Sequence, residues 1–75
     1  MRYTFEGATE AIVGRMAVRK VSLQRLAEAM EVRGCPISRE WLGKKIKEPR
    51  RFDLGELAVI CDILDLNIGE LVTAA

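Results

Sequence analysis

The sequence predicts an all-α fold, a compact five-helix bundle with a helix-turn-helix, and three observations support this prediction. Apolar residues recur at spacings of three and four along almost the whole chain, and no segment shows the alternation typical of a strand. Residues that cap helix N-termini precede most of these segments. The chain has 75 residues, 49% of them hydrophobic with few aromatics, which indicates one small domain over residues 1–75 with an aliphatic core.

The first helix is expected over residues 5–19. Its apolar face consists of residues spaced three and four apart, namely Phe5, Ala8, Ile12, Val13, Met16 and Ala17. The second helix follows Ser22, whose hydroxyl is suited to cap it. This helix is expected to reach position 30 or 31 and to bury Leu26, Ala27 and Met30.

A turn is predicted at residues 32–36. Gly34 supplies conformational freedom, and Pro36 both stops the second helix and biases Cys35 toward extended backbone. Ser38 is the next candidate cap, with Ile37 before it as a hydrophobic staple.

The third helix is expected over residues 39–47. Leu42 and Ile46 are four residues apart and are expected to anchor it to the core, and Pro49 ends it. With these two residues in the core, the polar side of the helix, which includes Gly43, is expected to face mostly outward.

Two further helices are predicted after a basic connector. Asp53 and Glu56 have the spacing of a capping box, and the apolar face that follows consists of Leu54, Leu57, Ala58, Ile60, Cys61 and Leu64. Asn67 and Glu70 repeat that spacing and predict a short fifth helix. It carries the candidate dimer contacts Ile68, Leu71 and Val72.

Charge is strongly segregated along the chain. Eleven of the twelve Lys and Arg residues lie between Arg15 and Arg51, against four Glu, so this stretch carries +7. The segment from Asp53 onward has five acidic residues and no basic ones. A confined basic stretch is typical of a protein that binds a polyanion, although an unevenly charged, solvated helical surface has the same composition.

Composition argues against several other functions. The chain has no His and only two Cys, which make neither a zinc site nor a disulfide framework, and no catalytic motif or phosphate-binding loop is present. We therefore expect no enzyme, no metal and no cofactor. No apolar run approaches the roughly 18 residues of a membrane span, and the N-terminal residues do not resemble a signal peptide. A cytoplasmic protein is therefore expected. Cys61, on the apolar face of the fourth helix, is expected to be a buried core residue.

A helix, a turn and a basic helix in this order form the pattern of DNA-binding helix-turn-helix proteins. The sequence also resembles the Cro/phage-repressor (XRE-like) family over residues 11–72. VSLQRLAEAMEV resembles the family's second helix, ISREWLGKKI its recognition helix, and RRFDLGELAVICDILDLNIGELV its remaining helices. The resemblance implies a small transcriptional regulator that places its recognition helix in the major groove of a double-stranded DNA operator, in the cytoplasm or nucleoid of a bacterial host.

The resemblance also implies site residues. Arg39, Glu40 and Lys44 match base-contact positions, although Glu40 is equally suited to orienting Arg39 or to interacting with the positive helix end. The candidate backbone contacts are Ser22, Arg25, Ser38, Trp41, Lys47, Arg50 and Arg51. Trp41 has the alternative of packing against the second helix.

Three departures from the family pattern concern docking. The turn between helices two and three is longer than usual, Leu23 replaces a glutamine that braces the recognition helix, and Glu48 replaces a glycine. One domain that reads three or four bases has limited specificity, so a homodimer is expected, if only on DNA. The alternatives are a protein-interaction module (an antitoxin or adaptor) on the same scaffold and a nonspecific nucleoid binder.

Overall fold

The computed structural model describes residues 3–74 and is mostly helical. Its four α-helices are Ala8–Arg19 (α1), Leu23–Val32 (α2), Arg39–Lys47 (α3) and Leu54–Leu64 (α4). Two short 3-10 turns, Pro49–Arg51 and Ile68–Glu70, follow α3 and α4. The two-residue strands Tyr3–Thr4 (β1) and Thr73–Ala74 (β2) pair antiparallel and join the two ends of the chain. Within residues 3–74, no helix has the length and apolarity needed to span a membrane.

The prediction of a fifth helix is wrong. The segment forms one 3-10 turn, in which Glu70 donates to the carbonyl of Asn67 and Leu71 to that of Ile68. The predicted capping box is present, with Glu70 accepting from the backbone N–H of Asn67 at 2.8 Å. Val72 is β-branched and favours extended backbone, and the chain passes from the turn into β2 instead of continuing as a helix.

The first helix begins three residues later than predicted. Gly7 lies directly before it with φ at +80°. This left-handed conformation is incompatible with an α-helix, so the helix cannot extend from Ala8 back to Phe5. Ala8 and Ile12 are fully buried, but Val13 and Ala17 are exposed rather than part of the core. The buried stripe of α1 is therefore narrower than the apolar spacing predicted.

The turn between α2 and α3 is a Schellman motif followed by extended residues. Gly34, at φ +81°, donates to the carbonyl of Glu31, and Cys35 donates to that of Met30 at 2.9 Å. Residues 33–38 separate the two helices, which is longer than the three or four residues typical of a helix-turn-helix. The predicted long turn is confirmed.

Two other helices end with residues that are not glycine in the left-handed region. Lys20, at φ 56°, follows α1, and Asp65, at φ 57°, follows α4. In each case the next residue donates back into the helix, and Leu66 reaches the carbonyl of Cys61 at 2.8 Å. These ends have the hydrogen bond of a Schellman motif without its usual glycine.

The core is aliphatic and draws on all four helices. Its largest fully buried side chains are Ile12, Leu26, Met30, Leu42, Leu57, Ile60, Leu64 and Leu71. The predicted capping box of α4 is present, because Asp53 and Glu56 each accept from the other's backbone N–H. Leu54 and Ala58, in contrast, are exposed and lie outside the core. Phe52 is buried in their place, at the staple position before the cap.

Candidate nucleic-acid interface

Helix α3 is attached to the protein along one side and open to solvent along the other. Leu42 and Ile46 are buried in the core, as predicted. Ser38 caps the N-terminus by accepting from the backbone N–H of Trp41 at 3.2 Å. The exposed side of the helix, which we name the α3 face, consists of Arg39, Glu40, Trp41, Lys44 and Lys47.

Three contacts fix the position of α3. The hydroxyl of Thr9 donates to the carbonyl of Ile46 at 2.6 Å, and thus satisfies a C-terminal carbonyl that lacks a partner inside the helix. The ammonium of Lys45 donates to both carboxylate oxygens of Glu56, at 2.9 and 2.8 Å. These contacts tie α3 to α1 and α4.

The Lys45–Glu56 pair is the least exposed ion pair among the described residues, with side-chain exposures of 22% and 12%. Lys45 belongs to the basic stretch, but its ammonium faces α4 and binds Glu56. Glu56 also belongs to the capping box of α4. The capping box predicted a fixed carboxylate at the start of α4, but the sequence did not indicate which cation would meet it.

Gly43 lies at the contact between α2 and α3 rather than on the outward side, where it was expected. A side-chain carbon at this position would be 3.3 Å from Cδ2 of Leu23. Leu23 takes the place of the bracing glutamine of the family pattern, and it packs against α3 instead of making a polar contact. The missing Cβ of Gly43 thus allows the two helices to approach closely.

The three predicted base-contact residues share the α3 face. Arg39 and Glu40 lie in the first turn of α3, with Arg39 Nη2 and Glu40 Oε1 at 3.7 Å. Lys44 follows one turn later, and its ammonium lies 5.1 Å from the centre of the Trp41 ring. Trp41 is 53% exposed, so it projects from α3 rather than packing into the core.

Four of the predicted backbone-contact residues, Ser22, Ser38, Arg50 and Arg51, lie at helix ends or in the turn after α3. Ser22 caps α2 by accepting from the backbone N–H of Arg25 at 3.1 Å. The amides that remain at such N-termini are suited to phosphate. Arg50 and Arg51 lie in the 3-10 turn that begins at Pro49. Helix α3 ends at Lys47, as predicted, and Glu48 is its C-terminal cap residue.

Arg51 is paired with an acid at this end of the interface. Its Nε donates to the carboxylate of Glu48. This hydrogen bond, together with the charges of Arg51 and Arg50, holds the pKa of Glu48 below its usual range. Among the described residues, no carboxylate lies within salt-bridge distance of Lys20, Arg25, Lys44, Lys47 or Arg50. Their charges are therefore available to a ligand.

Three other cations of the basic stretch are directed to α4. Arg15 Nη1 donates to the carbonyl of Asp65 at 2.8 Å, and Arg19 Nη1 lies 3.4 Å from that of Leu64. Arg33 pairs with the carboxylate of Asp62. We name Arg15, Arg19 and Arg33 the α4-facing arginines. Arg15 and Arg19 interact with carbonyls at the negative end of α4 that lack partners within the helix, and Arg33 with a carboxylate of its last turn. The sequence did not indicate these roles.

The candidate dimer residues differ in accessibility. Ile68 is 43% exposed and Val72 is half-buried, whereas Leu71 is 1% exposed and belongs to the core of its own chain. Together with Tyr3, Leu54 and others, Ile68 and Val72 line an apolar hollow of about 410 Å³ between β1 and α4.

The two cysteines are free thiols in different environments. Cys61 is buried in the core, as predicted, and burial raises its pKa, with a smaller contribution from Glu70. Cys35 is half-buried in the turn, and burial followed by the charge of Glu56 raises its pKa as well. Neither thiol is therefore activated as a nucleophile at neutral pH.

Comparison with known proteins gives one match. A family model described as the Cro/C1-type HTH DNA-binding domain matches residues 12–74. No curated protein and no solved structure gives a significant match. The matched range contains α2, α3 and α4, and nearly coincides with residues 11–72, which carried the resemblance in the sequence.

Proposed function

The chain belongs to the Cro/C1-type HTH DNA-binding domain family, and from this membership we propose that it is a sequence-specific transcriptional regulator that represses by occupying an operator. This family is generally non-enzymatic. We propose that residues 1–75 act as one helix-turn-helix domain with no cofactor and no metal. Because the proposed ligand is an operator in double-stranded DNA, we further propose that the protein acts in the cytoplasm or nucleoid of a bacterial host.

The α3 face is the observation that carries this proposal. A helix held by Leu42 and Ile46 presents its polar side as a rigid unit, and an α-helix fits the major groove. We propose that Arg39 and Lys44 donate to guanine and that Glu40 accepts from the amino group of cytosine. Arg39 and Glu40 form an ion pair at 3.7 Å, which favours the alternative role in which Glu40 orients Arg39.

Backbone contacts orient the protein on the duplex without reading sequence. The residues proposed for this role are Ser22, Arg25, Ser38, Trp41, Lys47, Arg50 and Arg51. All seven are exposed. Lys47 has no carboxylate partner among the described residues, so Lys47→Ala should weaken binding to every duplex alike and should reduce the salt slope of the association constant by about 1.

We propose that two copies bind one operator. A single α3 face reads few base pairs, and members of helix-turn-helix families gain specificity by binding half-sites one helical turn apart. The exposed part of Ile68, with Leu54 and Val72 beside it, is the apolar surface proposed to meet a second copy. Ile68→Glu should convert cooperative operator binding into independent binding, as measured by the steepness of a titration.

Selection of bound sequences from a random duplex pool tests the proposed function. The expected result is enrichment of one site with two related halves. In a competition gel shift, the complex with that site should survive an excess of random duplex. Loss of the complex at equal concentrations of random duplex would identify a nonspecific nucleoid binder instead.

A double variant separates DNA reading from an interaction module. Arg39→Ala with Lys44→Ala should abolish regulation of a reporter gene, because both residues are proposed to contact bases. If this double variant kept full activity while Ile68→Glu lost it, the chain would be an antitoxin or adaptor on the same scaffold. Far-ultraviolet circular dichroism of each variant checks that the fold is unchanged.

A further inference from the structure

Trp41 is the single tryptophan of the chain, and its ring stands in an unusual place. It lies on the α3 face, in the first turn of the helix, with 53% of its surface exposed. A duplex presents base edges and methyl groups in its major groove, whereas the faces of its bases are stacked on one another. The bases of a duplex therefore have no free face that could stack on the Trp41 ring.

Two hollows adjoin the Trp41 ring. One, of about 480 Å³, lies toward the α2–α3 turn and is lined by Pro36, Ile37, Ser38, Trp41, Lys45 and Glu56. The other, of about 280 Å³, lies toward the end of α3 and is lined by Trp41, Lys44, Lys47, Glu48 and Arg51. Of these lining residues, only Trp41 belongs to both.

The second hollow combines an aromatic ring with three cations. The ammonium of Lys44 lies 5.1 Å from the ring centre, within the range of a cation–π interaction. Lys47 has no carboxylate partner in the described part of the chain, and the guanidinium of Arg51 forms an ion pair with Glu48. Proteins that bind single strands combine cations that follow the phosphates with an aromatic ring on which a base stacks.

We propose that Trp41 is a stacking platform for an unpaired nucleobase, with the adjoining phosphate bound by Lys44, Lys47 and Arg51. The protein thereby binds single-stranded nucleic acid through the same face that is proposed to read duplex DNA. This second mode does not depend on operator recognition, because it uses the face of the base rather than its edge. Glu48 is the acid in this hollow, and its carboxylate opposes the phosphate.

Intrinsic fluorescence provides a direct test, since all tryptophan emission comes from Trp41. The probe is a single strand of about ten nucleotides, within the range of known site sizes, and its control is an abasic strand of equal length. The base-bearing strand should quench the emission and bind about tenfold more tightly than the abasic strand. Equal affinity of the two strands, or binding without quenching, would overturn the proposal, because phosphate contacts alone would then account for it.

Two variants separate stacking from a general change in the interface. Trp41→Leu should weaken binding of a dye-labelled single strand about tenfold or more, while Trp41→Phe should retain most of the affinity. Duplex affinity is measured in parallel, and Trp41→Leu should lower it by a smaller factor than it lowers single-strand affinity, because Trp41 is one of seven proposed backbone contacts on the duplex. If Trp41→Leu lowered the affinity for single strand and for duplex by the same factor, the stacking role would be refuted.

Parallel titrations with deoxythymidine and uridine strands identify the source of the unpaired base. The base face is shared by both ligands, so both should bind and quench. A preference for one assigns the site to single-stranded DNA or to RNA. Absence of quenching by both strands would contradict the proposal while leaving the duplex experiments unaffected.

Discussion

The α3 face and the α4-facing arginines come from the same basic stretch of sequence but use their charges in opposite ways. Lys44 and Lys47 project from α3 with no carboxylate partner among the described residues. Arg15 and Arg19 instead donate to the last carbonyls of α4, and Arg33 pairs with Asp62 on the same helix. One group is available to a polyanion, and the other stabilises the fold.

This difference shows what a charge count along the sequence lacks. The stretch carries +7, yet Arg15 and Arg19 find their acceptors 45 to 50 positions further along the chain. Both acceptors are backbone carbonyls, which carry no signature in the composition. A polyanion therefore meets fewer cations than the sequence indicates, and they are concentrated around α3.

The Lys45–Glu56 pair ties α3 to the first turn of α4, and breaking it should have the largest effect. Glu56→Ala leaves the ammonium of Lys45 without its partner in a partly buried site and removes half of the capping box of α4. We expect a loss of about 3 kcal/mol in the free energy of unfolding, measured by urea denaturation. Glu40→Ala, an exposed acid on α3, is the matched control and should change stability by less than about 0.5 kcal/mol.

The next prediction concerns the α3 face alone. Arg39→Ala should cost about 2 kcal/mol of binding free energy on the selected operator and should relax the preference at one base position. Stability should be unchanged, because the Arg39 side chain is 57% exposed. Equal losses on operator and random duplex would show that α3 does not read sequence.

The reciprocal variant tests the α4-facing arginines. Arg15→Ala removes hydrogen bonds from a charged donor to two carbonyls at the end of α4. Since these bonds are partly solvated, we expect a loss of only about 1 kcal/mol in the free energy of unfolding and no change in DNA affinity below the melting temperature. A loss of affinity in the folded variant would place Arg15 at the DNA interface and would remove the distinction between the two regions.

Much of this organisation was predictable because it rests on local rules. The caps Ser22, Ser38 and Asp53, and the anchors Leu42 and Ile46, follow from hydrogen-bonding chemistry and helical spacing over a few residues. The exposure of Arg39, Glu40 and Lys44 followed from that spacing, since the anchors determine which side of α3 is exposed, whereas their proposed role as base contacts came from the family resemblance.

The failures arose where distant parts of the chain meet. The two-residue strands are too short to show alternation, and β2, which pairs with β1, begins at the end of the segment that was predicted as a fifth helix. Lys45 was indistinguishable in sequence from Lys44, because only the position of Glu56 in the fold separates a structural cation from one open to solvent.

The smallest prediction sharpens the comparison at the end of α4. Asp65 adopts φ 57°, a conformation that is strained for a residue with a Cβ, and places a carboxylate beside the negative end of that helix. Glycine would adopt this φ without strain and would remove the carboxylate. Its ion pair with Arg19, at 3.8 Å, is solvent-exposed and contributes little. Asp65→Gly keeps the backbone carbonyl that accepts from Arg15 and should therefore stabilise the protein by about 0.5 kcal/mol, seen as a small rise in melting temperature. A decrease would mean that the Asp65 carboxylate, rather than the carbonyls of α4, holds the α4-facing arginines in place.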